Sequence, residues 1–573
     1  IRELHEWNLL IRQSSAANPF KALSLFQEMR FIELSDIFKD DPFIYASLVK
    51  ACGKARAFLE GKSIHGLVIR LGLDCNVNLL NSLTSFYMCS SDMARYASIL
   101  FRSAKEKTVI SVNCMISGYV RRGNIGVCFS LFDKMLRGCF GPNLKPNFVT
   151  FVILISGCVE YGDCGTASAL HCCCFKIGFV SDTEVCNALI NMYAKFGYLS
   201  DAMTIFRDMP RKDLFSWNSL IHGYSKICDE RAFTIFRNFR ISGIGTDKVS
   251  LSCLLSACAA RKDLSRGEAL HSYAIVIGQD SEDSVGTALI NMYTKCGLVK
   301  SARKFFDQLP KQNIELWNAM IHGYVENGNT AEVLMLSDRI KTIGLEPDEV
   351  TILGLIMACR DTGDLRNCSF VHSMVRNDKV FHQNLVLGNA LIDMYAKCGC
   401  MAEARSVFDT MVGRDVITWT SMIVGYAVNG EGRKSVAIFH QMCEDERHIP
   451  NSVTFIGVLS ACDYAGMVDE GRKLFDMMYR VYDIEPQIEH CGCIVDMLAR
   501  SGMVEEAERF VMEMAVQPNA VIWRMLMNGC RVHGEIKLGF KLLELELDGA
   551  ASYVASSNIY AEAERWGEVV GYR

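Results

Sequence analysis

Apolar residues recur along this chain at the three-and-four spacing of short amphipathic helices. Between Asn187 and Lys195 they fall on one helical face, and Gly197 follows as a helix stop. A second helix is predicted directly afterwards, with Ser200 as its cap and Pro210 beyond its end. Neither helix can bury its apolar stripe alone, so neighbouring helix pairs are expected to share one continuous core.

This helix pair is one copy of a repeat. The segment 187–197 returns almost letter for letter at 287–297 and 389–399, and related helices begin near Asn218 and Asn318. With a third variant between them, the copies form triplets of about 31, 35 and 35 residues that recur roughly every 100 residues. Such a period predicts an all-α fold, a right-handed superhelical α-solenoid whose first helices line the inner surface.

Two polar positions keep the register of the repeat. The fifth residue of many units is Asn or Thr, and the last residue is Asp or Asn. A buried amide without a partner costs several kcal/mol, so a polar pair repeated on an inner helix face is expected to meet a ligand. At any single site, a surface Asn that is present because of its helix or turn preference would be the better explanation. Nine copies at the same position of the repeat argue against that explanation.

Composition narrows the kind of ligand. The chain has 573 residues and a formal charge of -5, which argues against indiscriminate phosphate binding. Any contact with nucleic acid must therefore be local. No apolar run reaches the roughly 18 residues of a membrane span, so no membrane partner is expected.

The 25 cysteines and the recurring histidines follow the repeat and are interpreted as packing residues. Free Cys behaves as a small hydrophobe, and so many thiols without a disulfide framework indicate a reducing compartment. The best metal candidate is the run His-Cys-Cys-Cys at 171–174, but adjacent helical residues point in different directions, so no metal site is predicted. The cysteines at the eleventh position are Cys52, Cys158, Cys258, Cys359, Cys462 and Cys530, and the histidines at the twenty-fourth are His65, His171, His271 and His372.

The triplet resembles the P, L and S motifs of plant pentatricopeptide-repeat proteins of the PLS class, and the resemblance covers essentially all of 4–573. It is carried by Trp-Asn-Ser-Leu-Ile at 217–221 and its copy at 317–321 for P, by Asn-Met-Tyr helices for S, and by Leu-Leu-Ser-Ala-Cys at 254–258 for L. The resemblance implies a repeat array at 4–451, variant L and S units at 452–519, a first E-type motif at 520–550 and a second, truncated one at 551–573. The P units are 4–41, 109–147, 214–247, 314–348 and 416–451, the S units 77–108, 183–213, 283–313 and 385–415, and the L units 42–76, 148–182, 248–282 and 349–384.

In this family, each unit contacts one base of single-stranded RNA. The resemblance assigns that contact to the fifth and last residues, with U for Asn with Asp, C for Asn with Asn and A for Thr with Asn. L units are usually poor readers, and their fifth residues, Ala46, Val152, Ser252 and Leu353, leave those bases open. The U units are Asn8 with Asp41, Asn187 with Asp213, Asn218 with Asp247, Asn318 with Asp348 and Asn389 with Asp415; the C unit is Asn113 with Asn147; the A units are Thr287 with Asn313 and Thr420 with Asn451; and Asn81 with Thr108 is an off-pattern pair taken as a weak pyrimidine reader.

The second position of a unit carries an aliphatic residue in this family, and that residue wedges between bases. Ile110, Val386 and Ile417 fit this pattern. Glu184 and Glu315 depart from it, so poorer stacking is expected at those two units.

Because of the E-type motifs, the chain resembles the organellar RNA-editing factors of this family. This resemblance implies a site-recognition protein for C-to-U editing that binds single-stranded organellar RNA and recruits a cytidine deaminase-bearing partner in trans. The expected organelle is the mitochondrion, with the chloroplast as the alternative. In that subgroup the last S unit lies over the nucleotide four positions 5′ of the edited C, which predicts the strand U-n-Y-C-n-U-U-n-A-U-n-U-A-n-n-n-n-n-C with its final C edited.

The chain itself is predicted not to be an enzyme, and no cofactor is expected. A nucleobase deaminase requires His-x-Glu followed by Pro-Cys-x-x-Cys, and His533-Gly534-Glu535 matches only the first half. Two alternatives stay open: an organellar splicing or stability factor, which the E-type motifs disfavour, and a tetratricopeptide-like protein-binding scaffold, whose Trp-x-x-Leu-Gly signature differs from this repeat. Whether a targeting segment precedes Ile1, or a deaminase domain follows Arg573, also stays open.

Overall fold

The computed structural model describes residues 9–11, 13–14, 18–31, 42–310, 312–377, 383–445, 447–535 and 538. Within these ranges the regular structure is helical, and no strand is present. The chain divides into two compact units, Ile1–Ala288 and Leu289–Arg573. None of the helices in the described ranges combines the length and the apolar character needed to cross a membrane.

The helices come in pairs, and from residue 42 onwards each first helix begins at the first residue of a predicted unit. The first helices are Pro42–Ala55, Val77–Met88, Val109–Val120, Phe148–Tyr161, Thr183–Lys195, Leu214–Lys226, Lys248–Arg261, Asp283–Lys295, Ile314–Glu326, Glu349–Thr362, Leu385–Lys397, Val416–Val428, Ser452–Ala465, Ile488–Arg500 and Ala520–His533. The second helices are Pro19–Phe31, Phe58–Arg70, Ala94–Ser103, Ile125–Leu136, Cys164–Ile177, Leu199–Asp208, Arg231–Ile241, Leu264–Val276, Val299–Gln308, Thr330–Ile343, Leu365–Asn377, Met401–Thr410, Gly432–Glu444, Val468–Arg480 and Val504–Glu513. Short 3₁₀ turns lie at Ser91–Met93 and Phe179–Ser181.

Within each compact unit, the first helices of successive repeats pack against one another. Gly223 lies at one of these contacts. A Cβ atom there would approach Leu199 Cδ2 to 2.7 Å and Ala194 Cβ to 2.9 Å. Glycine is therefore required for the close approach of the two helix backbones, and a larger residue would force them apart.

Aromatic side chains fill the space between the two helix layers. Trp217 meets the ring of Phe206 edge-on, with 4.6 Å between ring centroids, and stacks on Phe239 at 5.4 Å. The same Phe–Trp contact recurs in the second compact unit, where Phe306 lies 4.8 Å from Trp317. These rings bury the apolar stripe that neither helix could bury alone.

The recurring cysteines are core residues, as predicted. All six at the eleventh position are no more than 1% exposed. In the run at 171–174, Cys172 is exposed whereas Cys174 is buried, because neighbouring helical positions face different directions.

The recurring histidines join one repeat to the next. His65 Nδ1 lies 2.8 Å from the hydroxyl oxygen of Tyr87, which belongs to the following first helix. Two equivalent pairs, His171 with Tyr193 and His372 with Tyr395, have distances of 2.9 and 3.0 Å. The structural interpretation is therefore confirmed for His65, His171 and His372.

Candidate nucleic-acid interface

The fifth and last residues of several units, here called the polar pair, are joined by a hydrogen bond. In the first compact unit, Asn187 Nδ2 donates to Asp213 Oδ2 at 2.9 Å. Asn218 Nδ2 lies 3.1 and 2.9 Å from the two carboxylate oxygens of Asp247. Side chains that are far apart in sequence therefore meet at one point in each of these units.

The second compact unit repeats this arrangement. Asn318 Nδ2 lies 3.0 and 3.1 Å from the two carboxylate oxygens of Asp348. Asn389 Nδ2 donates to Asp415 Oδ1 at 3.2 Å. A related pair with an amide in the last position occurs in the first compact unit, where Asn113 Nδ2 donates to Asn147 Oδ1 at 3.2 Å.

The last residue of a unit also begins the next first helix. Asp213 Oδ1 accepts from the backbone N–H of Ser216 at 2.9 Å, and the Asp213 backbone N–H donates to Ser216 Oγ at 3.0 Å. This is a capping box with Ser in place of the usual Glu. The cap explains why the last residue is short and polar, and it holds the carboxylate in place for the fifth residue.

Sequence reasoning missed the third member of this cluster, the Ser or Thr three residues after the last residue of a unit, here called the capping hydroxyl. These side chains are fully buried beneath the polar pair. Their signal was present in the sequence, because Ser or Thr three residues after an Asp or Asn cap is a helix-start pattern. The capping hydroxyls beside Asn–Asp, Asn–Asn or Thr–Asn pairs are Thr150, Ser216, Ser250, Thr351, Thr418 and Thr454.

The Asp partner fixes the orientation of the Asn amide. An ionised carboxylate accepts hydrogen bonds only, so it must face the amide nitrogen and not the amide oxygen. Burial opposes the charged form of Asp348, but hydrogen bonds from Thr351 and Asn318 prevail and lower the pKa of this carboxyl. The pKa of Asp415 is lowered in the same way, against burial, by Thr418 and Asn389.

In three of the pairs, the amide oxygen is buried without a hydrogen-bond partner. These oxygens are Oδ1 of Asn187, Asn218 and Asn389. A buried acceptor left unpaired costs about 1–3 kcal/mol, so each of these amides gains free energy by turning its oxygen toward an external donor.

The Thr-containing pairs are built differently. The Thr420 hydroxyl lies 2.8 Å from the Thr454 hydroxyl, which in turn donates to Asn451 Oδ1 at 2.9 Å. Thr454 thus bridges the two predicted members. The other Thr-containing pair is Thr287 with Asn313. The Thr287 hydroxyl donates to the backbone carbonyl of Asp283 in the same helix, at 2.8 Å. Asn313 Oδ1 caps the next first helix by accepting from the backbone N–H of Leu316 at 3.0 Å.

The off-pattern unit lacks the pair contact. Asn81 is buried, and no hydrogen bond joins it to Thr108, although the structure describes both residues. Thr108 Oγ1 instead accepts from Ser111 N at 3.2 Å as a helix cap. The pair Asn8 with Asp41 and the second E-type motif at 551–573 lie outside the described residues.

Exposed apolar side chains flank the polar pairs. Ile110, Val386 and Ile417, at the second position, are 59%, 54% and 62% exposed. At the same position in their units, Glu184 and Glu315 are also exposed. Apolar residues that sequence analysis did not single out occupy this position in other units, at Phe43, Phe215, Val249, Val350 and Val453.

Open clefts lie between these apolar residues. A cleft of about 370 Å³ has Ile417 and Val453 on its walls and Thr420 with Asn451 at its edge. A second, of about 800 Å³, is lined by Phe43, Ile110 and Asn81 among others. Flat apolar walls with a hydrogen-bonding edge suit an unstacked heterocyclic base.

The half-match to a deaminase signature is part of the helix packing. His533 Nε2 lies 3.0 Å from the carbonyl oxygen of Arg500, at the end of the preceding first helix. This bond connects successive repeats, and it accounts for the histidine without a metal ligand role.

Family models match this chain along much of its length. One described as PPR repeat matches residues 184–214, 215–229, 287–314, 315–345, 389–416, 417–446 and 489–516. Another, described as PPR repeat family, matches residues 107–160. The matched segments begin within a few residues of the first helices described above.

A solved structure shares the fold. The crystal structure of the pentatricopeptide repeat protein PPR10 from maize matches 99% of this chain and 92% of its own with a TM-score of 0.59 at 15% identity. The same protein has been crystallised in complex with an 18-nt psaJ RNA element, and that structure matches with a TM-score of 0.60. At this level of identity the likeness concerns the fold alone, and it confirms the predicted all-α solenoid.

Relatives in Arabidopsis thaliana span most of the chain. One pentatricopeptide repeat-containing protein is 35% identical over 89% of this chain and 70% of its own length. A chloroplastic one is 32% identical over 96% of this chain and 67% of its own length. A mitochondrial one is 32% identical over 99% of this chain and 86% of its own length. On this identity and coverage, the chain belongs to the pentatricopeptide repeat family.

Proposed function

We propose that this protein is a sequence-specific, single-stranded RNA-binding factor of the PLS class and E subgroup, which selects a site for C-to-U editing in an organellar transcript. The observation that carries the proposal is the recurring polar pair beside exposed apolar residues. A base lifted out of its stack has apolar faces and a hydrogen-bonding edge, so it needs both kinds of contact at once. The complex of PPR10 with an RNA element supports the proposal through the shared fold.

Uridine suits the Asn–Asp pair on chemical grounds. The Asp takes an amide N–H, so the amide oxygen is left for a donor on the base. Uracil offers such a donor at N3, whereas the N3 of cytosine is an acceptor. At Asn187, Asn218 and Asn389 the oxygen has no partner within the protein, which supports uridine as the base whose N3–H would satisfy it.

Applied to all the polar pairs, the family code gives the strand U-n-Y-C-n-U-U-n-A-U-n-U-A-n-n-n-n-n-C. The array runs parallel to the RNA, and the final C is the edited base. Seven positions carry the strongest assignments, from the pairs at Asn113, Asn187, Asn218, Thr287, Asn318, Asn389 and Thr420.

The chemistry of editing comes from a partner in this proposal. The E-type motifs at 520–573 recruit a protein that carries a cytidine deaminase, and this chain acts by binding alone. The site of action is an organelle, with the mitochondrion proposed and the chloroplast as the alternative, since relatives carry each name.

Two other functions would give different results. A splicing or stability factor would change transcript processing and leave editing unchanged. A protein-binding scaffold would show no preference between the predicted RNA and a scrambled one.

The test compares RNA editing in organelles of plants with and without this protein. We expect one or a few sites to lose editing, with upstream sequences that match at least six of the seven strong positions. Lost sites that match no better than random upstream sequences would contradict the proposed register and function.

A further inference from the structure

The Asn–Asp pairs share two residues but differ in a third. At Asn318, the capping hydroxyl of Thr351 donates to the amide oxygen at 2.6 Å. At Asn389 the capping hydroxyl of Thr418 donates to the Asp415 carboxylate at 2.7 Å, and the amide oxygen is left without a partner. The two units therefore have the same polar pair and a different hydrogen-bond network.

A hydroxyl has one proton, so it serves one acceptor at a time. Thr351 Oγ1 lies within reach of both Asn318 Oδ1, at 2.6 Å, and Asp348 Oδ1, at 2.8 Å. While it donates to the amide, the oxygen of Asn318 already has one hydrogen-bond partner inside the protein, unlike the oxygens of Asn218 and Asn389. Turning that oxygen toward a base would cost the hydrogen bond from Thr351.

An amide oxygen that accepts from the capping hydroxyl, here called a held oxygen, also occurs in the unit assigned to cytidine. Thr150 Oγ1 donates to Asn113 Oδ1 at 2.8 Å. In contrast, Ser250, beside the Asn218 pair, donates to the backbone carbonyl of Asp247 at 2.9 Å and leaves the amide oxygen without a partner. A held amide oxygen thus accompanies the one C-type pair as well as the Asn318 pair.

We infer that the capping hydroxyl is a third specificity-determining residue, which shifts a unit from uridine toward cytidine when it holds the amide oxygen. The inference rests on the proposed RNA recognition and deepens it. An oxygen that already accepts from the capping hydroxyl gains less from uracil N3–H than an unpaired oxygen does, whereas the amide N–H that remains can donate to cytosine N3. The unit of Asn318 therefore discriminates U from C less well than the units of Asn218 and Asn389, although all three have the same polar pair.

The first measurement needs no variant. Synthetic RNAs carry the predicted strand, with the uridine opposite Asn218, Asn318 or Asn389 replaced in turn by cytidine, and their Kd values are measured with the full chain. The ratio of Kd for C to Kd for U should be at least about fivefold smaller at Asn318 than at the other two, as expected for one hydrogen bond.

Two matched variants isolate the hydroxyl. Thr351→Val keeps the shape of the side chain but frees the Asn318 oxygen, so the ratio at that uridine should rise about fivefold. Thr418→Val removes an equivalent capping box whose hydroxyl donates to Asp415 and does not touch Asn389, so the ratio at its own uridine should change less than the ratio at the Asn318 uridine changes in Thr351→Val. Both variants lose the same cap, and a merely structural effect would therefore be equal in the two.

The outcomes separate this inference from the proposed function. If the unaltered protein prefers the predicted strand to a scrambled one, but its three ratios are equal or Thr351→Val changes its ratio no more than Thr418→Val, the capping-hydroxyl inference is wrong and RNA recognition stands. If the unaltered protein shows no preference for the predicted strand, both are wrong. If Thr351→Val fails to fold, the three ratios of the unaltered protein decide the matter.

Discussion

Asn218 Nδ2 lies 2.9 Å from Asp247 Oδ2, although 29 residues separate the two in sequence. Asp247 also caps the helix that follows it, through Ser250 N at 3.1 Å. One carboxylate therefore serves both the start of a helix and the orientation of an amide in the preceding helix. This coupling explains how a repeat can vary in its second helix and still present the same polar pair.

The Asp of a polar pair should decide between uridine and cytidine. Asp247→Asn replaces an acceptor-only group by an amide that can also donate, so the Asn218 amide can turn over and present its N–H to the base. We expect the preference at that nucleotide to move from U toward C by about 1–3 kcal/mol, on the scale of a mismatched base. Filter binding with the two RNAs measures it.

A matched control for this change exists one helix further along. Asp263 caps a second helix through Arg266 N at 3.2 Å and belongs to no polar pair. Asp263→Asn removes the same charge from a helix start. If it changed the U-to-C ratio as much as Asp247→Asn did, the effect would be one of stability and not of recognition.

Replacing Thr420 by Asn should make its unit prefer a pyrimidine. Its hydroxyl contacts only the Thr454 hydroxyl among the hydrogen bonds described, at 2.8 Å. Thr420→Asn supplies an amide to the same cleft, and we expect the preferred base there to move from A toward a pyrimidine by about 1–3 kcal/mol. Competition between RNAs that differ only at this nucleotide tests the register, which an unchanged preference would contradict.

The partly buried histidines should make stability depend on pH. Burial, aided by Arg376, lowers the pKa of His372 from its ordinary value of 6.5. The unfolded chain therefore binds more protons than the folded one as pH falls, so stability is fully present above about 6.5 and is lost below it. Burial also lowers the pKa of His65, His171, His222 and His271.

Urea unfolding between about pH 7.5 and 5.5 measures this loss. His372→Gln, which does not titrate, should reduce the dependence of the unfolding free energy on pH. Tyr395→Phe should lower stability at every pH and leave the dependence largely in place, because the histidine stays half-buried. A pH dependence that His372→Gln left unchanged would show that this histidine contributes nothing to it.

The buried tryptophans should tolerate Phe far better than Ala. Trp317 is fully buried and packs on Phe306, and its Nε1–H has no hydrogen-bond partner. Trp317→Ala opens a cavity and should cost about 3–5 kcal/mol of unfolding free energy. Trp317→Phe removes an unpaired donor together with part of the ring, so it should cost much less. Val412→Ala, at a side chain that is 78% exposed, is the surface control.

The sequence predicted the repeat and the unit boundaries at which the described first helices from residue 42 onwards begin, because periodicity is a local rule. The resemblance to the family supplied the residues of the five Asn pairs, but the hydrogen bonds within those pairs were not predicted. The cap assigned to Ser200 was wrong, because that second helix begins at Leu199 without a side-chain cap. The sequence also did not predict which hydroxyl holds which oxygen. Thr351 and Thr418 have the same chemistry and the same position in the repeat, and their different partners depend on side-chain geometry between residues more than 25 apart. The bridge through Thr454 and the missing contact at Asn81 were beyond sequence reasoning for the same reason.

The central claim, that polar pairs recognise individual bases, is tested most directly by binding of the full chain to the predicted RNA and to a scrambled RNA of the same composition at moderate salt. We predict a clear preference for the predicted strand, and a loss of about 1–3 kcal/mol when the uridine opposite Asn218 alone is changed to cytidine. Equal affinity for the predicted and scrambled strands would contradict the claim and favour a protein-binding scaffold.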